Sequence, residues 1–345
     1  MSDVTSIAIT GTGAVSAAGW GVEALMETMR SGKRPAMSMC DRPCGEQMVS
    51  TPVLRVPMDG ASIPKAARLR RTSPISKFAA AATLQALGEN RLAAIREGLR
   101  VGVILSLTNG CVNYSNRFFA EVVADPTLAS PILFPETVFN APSSHLSAMI
   151  GSHSPNDSLI GDGSGFLTGM DLAAEWISRG DVDGCIVVAA EEIDWLSAEG
   201  LCLYSKQFTP AEGAAAIYME PGEGMVNIID LPDPIPYNQM ERPEAAIAMR
   251  QRLSACDETS CLLIDSATGI SRFDHAEQLT WHDWCGARWS PKHVIGETMG
   301  ASAGFQVVAA VEALRTGLFK QAVVSSLGSN QQAAGVLLDR GNHSD

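Results

Sequence analysis

Thiols, imidazoles and serine hydroxyls carry most nucleophilic and acid–base chemistry near neutral pH. This chain of 345 residues has eight cysteines, at 40, 44, 111, 185, 202, 256, 261 and 285, and six histidines. Cys40 and Cys44 lie in MCDRPC, but no second pair at metal-ligand spacing follows them, so no metal site is expected. Ser164 sits in Gly161-Asp-Gly-Ser-Gly165. A hydrolase elbow has the form G-x-S-x-G, whereas here Gly163 and Gly165 flank the serine directly. A serine nucleophile also needs a base within hydrogen-bond reach. None of His145, His153, His275, His282, His293 and His343 is predicted to be that base. His145 reads as a satisfied helix residue, and His275, beside Asp274, as a solvated one. The glycine-rich ITGTGAVSAAG at 9–19 does not scan as G-x-G-x-x-G, and no acid closes a second strand about twenty residues on. It also lacks the Gly-Lys-Ser/Thr of a phosphate loop. No cofactor is expected.

These residues must be positioned by an alternation of short apolar runs and amphipathic helices. Strands are predicted at 5–10, 101–105, 184–190, 214–220, 225–231, 261–265, 322–326 and 335–339. Helices are predicted at 21–32, 74–87, 167–179, 241–253 and 303–315. Buried apolar strands alternating with helices argue for a layered α/β fold. Residues 1–221 and 222–345 each carry the alternation and are joined by the turn-rich 220–224, which suggests two halves of one compact unit. The Met-, Pro- and Gly-rich stretch 38–60 reads as an irregular surface loop.

Composition narrows the function classes. Hydrophobic residues make up 46% and charged residues 18%, which fits a deeply buried globular protein with some surface covered by another subunit. The net charge of −13 opposes general nucleic-acid binding. No apolar run approaches the roughly 20 residues that span a bilayer. The N-terminal MSDVTSIAITGTG lacks the basic start and apolar core of a signal peptide, so a cytoplasmic location with reduced thiols is expected.

Seven segments, in order, resemble the β-ketoacyl synthases, the thiolase-fold condensing enzymes. The first is 9–19 with its helix. SPILFPETVFNAPSSHLSAMIG (130–151) is similar to the segment leading to that family's dimer-interface helix. LIGDGSGFLTGMDLAAEWISRGDVDGCIVVAAEE (159–192) resembles the nucleophile elbow, its helix and the next strand. FTPAEGAAAIYMEPGEG (208–224) resembles the strand closing the first half. DSATGISRFDHAE, SPKHVIGETMGASAG and VSSLGSNQQAAGVLL resemble the signatures of the second half. The resemblance implies a thiolase-like fold of two pseudo-symmetric halves in α/β/α/β/α layers.

Family chemistry needs a thiolate at a helix N-terminus and two histidines that assist decarboxylation. The resemblance places Gly163 at the nucleophile position, Ser266 at the first histidine and Glu297 at the second. Asp274 and Glu277 of the first histidine motif are kept. Lys292 is retained and is expected to pair with Glu297 or cap a strand end. Ser329 stands where the carbonyl-binding loop has its aromatic gate. The loops 190–208 and 277–292, which surround the family's active-site entrance, are shortened. No catalytic residue is therefore expected, and the chain is not expected to be an enzyme by itself.

The resemblance instead implies a chain-length-factor-like subunit of a type II polyketide or aryl-polyene-type synthase, heterodimeric with an active ketosynthase. Residues 139–145 are nearer the aryl-polyene type. Ile132, Leu133 and Phe134, with 104–109 ending at Asn109, are expected at the interface end of the partner's acyl tunnel. The stretch 138–150, with Leu146, Met149 and Ile150, is expected in the interface. Acyl carrier protein is expected to dock mainly on the partner, although Lys65, Arg68, Arg70, Arg71 and Lys77 form a basic stretch. The alternatives are a decarboxylase-type priming subunit, a non-enzymatic scaffold and a serine hydrolase on the same fold. A priming subunit of this family carries glutamine at the nucleophile position and keeps the histidines, and neither holds here.

Overall fold

The computed structural model describes residues 6–58, 63–238, 240–328 and 331–341. Strand β1 (Ile7–Ser16) runs through most of the glycine-rich opening. A Cβ on Gly11 or Gly13 would lie 1.9 Å from the carbonyl oxygen of Ala86 or Ala82. The glycines therefore let a helix backbone press onto the strand, and the strand extends past the predicted 5–10. Thr5 is outside the described residues. Strand β2 (Gly19–Trp20) and helix α1 (Val22–Ser31) follow.

Within the stretch 38–60, residues 38–53 form a hairpin, not an irregular loop. Strands β3 (Ser38–Cys44) and β4 (Gln47–Val53) pair antiparallel from Ser38↔Val53 to Cys44↔Gln47. Its inner side chains, Cys40 and Val53, pack with Ile193 and Ala198. Asp59 and Gly60 are outside the described residues. Helix α2 (Pro74–Arg96) supplies the carbonyls that meet β1 and continues beyond the predicted end across a break at Gly88, with φ 66° and ψ 171°. The half is completed by β5 (Val101–Leu107), α3 (Val112–Ala124), α4 (Ala141–Ile150), β6 (Asn156–Ile160), α5 (Gly165–Ser178), β7 (Gly184–Glu191), α6 (Trp195–Tyr204) and β8 (Gly213–Pro221).

The second half contains β9 (Val226–Asp230), β10 (Ile235–Pro236), α7 (Arg242–Arg252), β11 (Cys261–Ile264), α8 (Ser271–Thr280), β12 (Ala287–Trp289), α9 (Pro291–Ile295), α10 (Ser302–Arg315), β13 (Gln321–Leu327) and β14 (Gln332–Arg340). The main sheet runs β12-β11-β13-β14-β9-β1-β8-β7-β5-β6. Read inward from the two edges, β6-β5-β7-β8-β1 repeats as β12-β11-β13-β14-β9. In both, the two outer pairings are parallel and the two inner ones antiparallel. Ala8 pairs with Asn227 where the halves meet.

Helices α5 and α10 lie between the halves, α10 touching β1, β8, β13 and β14. The largest apolar cluster is here and includes Phe166, Met170, Phe305 and Val308. Helix α2 covers the outer face of the first half, and α7 with α8 that of the second. The layers are thus helix, sheet, helix, sheet, helix, with pseudo-symmetric halves, as the resemblance implies. Among the described residues no helix is long and apolar enough to cross a membrane.

Candidate functional site

Gly163 lies in the turn from β6 into α5, where a side chain would meet the positive end of a 14-residue helix. Such a position lowers a thiol's pKa. The space is nevertheless tight: a Cβ on Gly163 would lie 3.1 Å from the Met299 carbonyl oxygen, which would have to give by a few tenths of an ångström, and in ordinary contact 3.6 Å from Ser302 Cβ. Ser164 is fully buried and its Oγ donates to Asp162 Oδ1 at 2.7 Å, with its N–H donating to the same oxygen at 3.1 Å. It is a structural hydroxyl facing an acid, not an exposed nucleophile. No cysteine takes the place of the missing thiol. Cys111 precedes the N-terminus of α3, but burial, reinforced by Glu192, pushes its thiol well above the ordinary value.

Ser266 follows β11 and is almost fully buried. Its Oγ donates to Glu277 Oε1 at 2.6 Å and accepts from the Leu327 N–H at 3.1 Å. Ser325 Oγ donates to Glu277 Oε2 at 3.0 Å. Desolvation, with the charge of Asp265, raises Glu277 to about 7. Asp274 accepts from the N–H groups of Thr268 and Gly269, each at 2.7 Å. The two retained acids of this motif therefore hold the loop around Ser266 in shape.

Glu297 is buried with both carboxylate oxygens occupied. Oε2 is 2.8 Å from Lys292 Nζ, while Oε1 accepts from Ser302 Oγ at 2.8 Å and from the Met299 N–H at 2.9 Å. The expected pairing of Lys292 is the one found, and the further hydrogen bonds to Glu297 help offset the desolvation cost of a buried ion pair. Met299 has φ 46°, the one positive φ outside glycine among the described residues. Its Sδ accepts from Asn109 Nδ2 at 3.0 Å. Strained backbone of this kind persists where surrounding contacts over-determine it.

The three positions expected to be degenerate, Gly163, Ser266 and Glu297, are linked through their neighbours. Ser302 touches both the Gly163 turn and Glu297. Gly328, next to the Leu327 that bonds Ser266, abuts Asp162 so closely that a Cβ would fall 1.6 Å from Oδ2. Tyr237 donates to the Gly328 carbonyl. Ser329 and His343 are outside the described residues.

A trio of buried acids beside the site escaped the sequence reading. Glu191 accepts from the N–H groups of Thr108 and Asn109, and burial raises it to about 8. Glu192 accepts from Ser73 Oγ at 2.7 Å and from the Asn113 N–H at 2.8 Å. Glu212 accepts from the N–H groups of Val56 and Ile193 at 3.1 and 3.0 Å. Burial raises both. Glu191 and Glu192 end a fully apolar strand, a costly placement unless loops are tied to them, but Glu212 carries no such mark in the sequence.

The proposed tunnel residues divide. Ile132 and Phe134 are 63% and 54% exposed, and Leu133 is buried at 6%. The Phe134 ring sits 5.5 Å from that of Phe118. Asn109 is inside the site, one residue from Gly110, onto which the Phe139 ring packs. Phe119, Val123, Leu128, Val138, Phe139 and Ile160 are also exposed, and β6 is the free edge of the sheet. Leu146 and Ile150 are corrected: both are fully buried in the chain's own core with Phe78 and Ala82, because α4 must cover α2 and β5. Only Ser144 and Ala148 of that helix are exposed. Lys65, Arg68, Arg70 and Arg71 are exposed and Lys77 half-buried, with no ion pair among the described residues.

A family model for the beta-ketoacyl synthase N-terminal domain matches residues 5–226, and the chain belongs to the β-ketoacyl synthase family. No curated protein sequence matches it. Among solved structures it is similar to the ishigamide ketosynthase/chain length factor, with TM-score 0.80, 17% identity, and coverage of 97% of this chain and 99% of that one. It is also similar to the ketosynthase ApeO in complex with its chain length factor ApeC from Xenorhabdus doucetiae, with TM-score 0.77, 15% identity and 98% coverage of each. A β-ketoacyl synthase from Burkholderia phymatum matches with TM-score 0.78, 15% identity, and coverage of 98% and 100%. At these identities the likeness defines the fold alone, a thiolase-like, ketosynthase-type fold.

Proposed function

We propose that this chain is the catalytically silent, chain-length-factor-like member of a ketosynthase pair in type II polyketide or polyene elongation. One observation carries the reading. At the place where the motif resemblance puts condensation chemistry, Glu297 is locked by Lys292, Ser302 and the Met299 N–H beside a glycine that has no nucleophile. A developing enolate would meet a carboxylate there, not the donors that stabilise it. The same argument weighs against a decarboxylating primer, and the buried Ser164–Asp162 contact against a hydrolase.

Such a subunit acts through shape. Two features support a heterodimer: the free edge of β6 and the exposed apolar side chains of 119–160. Exposed edges and large apolar patches are liabilities that a partner removes. On this reading 1–221 and 222–345 work as one unit, in the cytoplasm, and acyl carrier protein reaches the pair mainly through the ketosynthase. Ile132 and Phe134 then close the far end of the partner's tunnel. Co-expression with an active ketosynthase tests the pairing. The two chains are expected to co-purify one to one, and a chain that stays monomeric at micromolar concentration with that ketosynthase present would overturn it. A pure scaffold is separated by product length: it alone predicts no change on trimming Ile132 or Phe134.

A further inference from the structure

We propose that Glu136 and His145 are positioning residues for product length: their contact holds in place the turn that carries Ile132 and Phe134. The inference deepens the reading above and rests on the length-setting role proposed there for those two side chains. Residues 125–140 join α3 to α4, and the one helical turn in that stretch is Phe134–Glu136. Connections this long with so little regular structure are uncommon and usually either functional or disordered. This one is ordered by hydrogen bonds. The Leu133 N–H donates to the Ser130 carbonyl at 3.1 Å. The Glu136 N–H donates to the Leu133 carbonyl, and the Thr137 N–H to the Phe134 carbonyl, each at 3.0 Å. Thr137 Oγ1 donates to the same Phe134 carbonyl at 2.8 Å.

The turn is moored on two sides. Toward α3, Ser115 Oγ donates to the Thr137 carbonyl at 3.1 Å, and Glu121 Oε2 accepts from the Ser130 N–H at 3.0 Å. Toward α4, His145 Nε2 lies 3.0 and 2.9 Å from the two carboxylate oxygens of Glu136. The two side chains of this second tie are only 12% and 17% exposed, so water competes little for it. His145 Nδ1 is buried without a partner. A neutral ring therefore carries its hydrogen on Nε2 and donates it to the carboxylate. Hydrogen bonds to a carboxylate are stronger than those between neutral groups.

Glu136 ends the helical turn that Phe134 begins. Anchoring it to α4 fixes the direction in which the Phe134 ring and, two residues earlier, the Ile132 side chain leave the surface. Leu133, between them, is buried and holds the inner side of the turn. Without the tie to His145 the turn keeps its bonds to α3 and is free to tilt on them, so the two exposed side chains no longer hold a single depth.

Amide hydrogen exchange on the full chain tests the tie. In Glu136→Ala and in His145→Ala, peptides spanning 133–137 should exchange about tenfold faster, while those of the buried α5 stay unchanged. Glu136→Gln keeps an acceptor for the Nε2 hydrogen and should stay near the original rate. Equal exchange at 133–137 in all of these chains overturns the proposal. Product mass from the reconstituted synthase tests the positioning. Both alanine variants should lengthen the products as Phe134→Ala does, and Glu136→Gln should not. His145→Ala combined with Phe134→Ala should add nothing to Phe134→Ala alone. If Phe134→Ala lengthens the products and the two alanine variants do not, this inference is overturned and the length-setting reading stands. If Phe134→Ala changes nothing in an intact complex, that reading falls and this inference falls with it.

Discussion

Glu297 meets a cation, a hydroxyl and a backbone N–H with one carboxylate, and that arrangement governs what substitutions in the site can do. Removing one member of a buried pair leaves an uncompensated charge, which costs about 3–5 kcal/mol, whereas replacing both with apolar residues is often close to neutral. Lys292→Met should therefore lower the urea midpoint strongly, and Lys292→Met with Glu297→Met should recover most of the loss. An additive double variant would show that the pair is not coupled. Gly163→Cys alone should not restore condensation, since its Cβ meets Met299 and Ser302 and no histidine faces it. Ketoacyl product from that variant with acyl and malonyl carrier protein would contradict this. Glu191 and Glu277 give a pH signature. Burial raises them to about 8 and about 7 from an ordinary 4.5. Because the folded values lie above the unfolded one, the folded chain binds the extra protons. The stability these groups contribute is complete below about pH 4.5 and is lost as pH rises through 7 and 8. The urea midpoint should fall between about pH 5 and pH 8, and Glu191→Gln should flatten that fall. A midpoint equally steep in the variant would remove Glu191 from the account.

At the scale of elements, apolar residues in one segment separate into core and surface. Leu146 is fully buried beneath α2, so Leu146→Ala should cost the chain about 2–5 kcal/mol. Phe134→Ala removes an exposed ring and should change monomer stability by no more than about 0.5 kcal/mol. In a reconstituted synthase it should lengthen the products, read by mass. An unchanged length distribution from an intact complex would remove Phe134 from length control. The sequence could not separate these residues, because both are apolar and near a proline turn, and only the packing of α4 on α2 distinguishes them. The inner strands were legible because a parallel strand buried on both faces is a continuous apolar run, as in β5 and β7. Strand β6, NDSLI, was not, since its extended state comes from pairing with β5. The hairpin β3–β4 was not either, because its inward side chains have meaning only once α6 covers them. The proposed losses at Gly163, Ser266 and Glu297 rest on motif order in the sequence. The buried trio of Glu191, Glu192 and Glu212 was not, because its hydrogen bonds reach loops far away in the chain.

For the whole molecule, the two sheet halves leave different edges. The second-half edge is the three-residue β12, too short to recruit another strand, while β6 leaves a longer edge beside the exposed side chains of 119–160. A silent subunit on this surface would contribute walls to a pair and no chemistry. The decisive measurement is ketoacyl product formed by the reconstituted pair from acyl and malonyl carrier protein, with the nucleophilic cysteine replaced by alanine in the active ketosynthase only. The unaltered pair should turn over, and the altered pair should fall to the no-enzyme background although this chain is intact. Product well above background from the altered pair, or from this chain alone, would contradict the account.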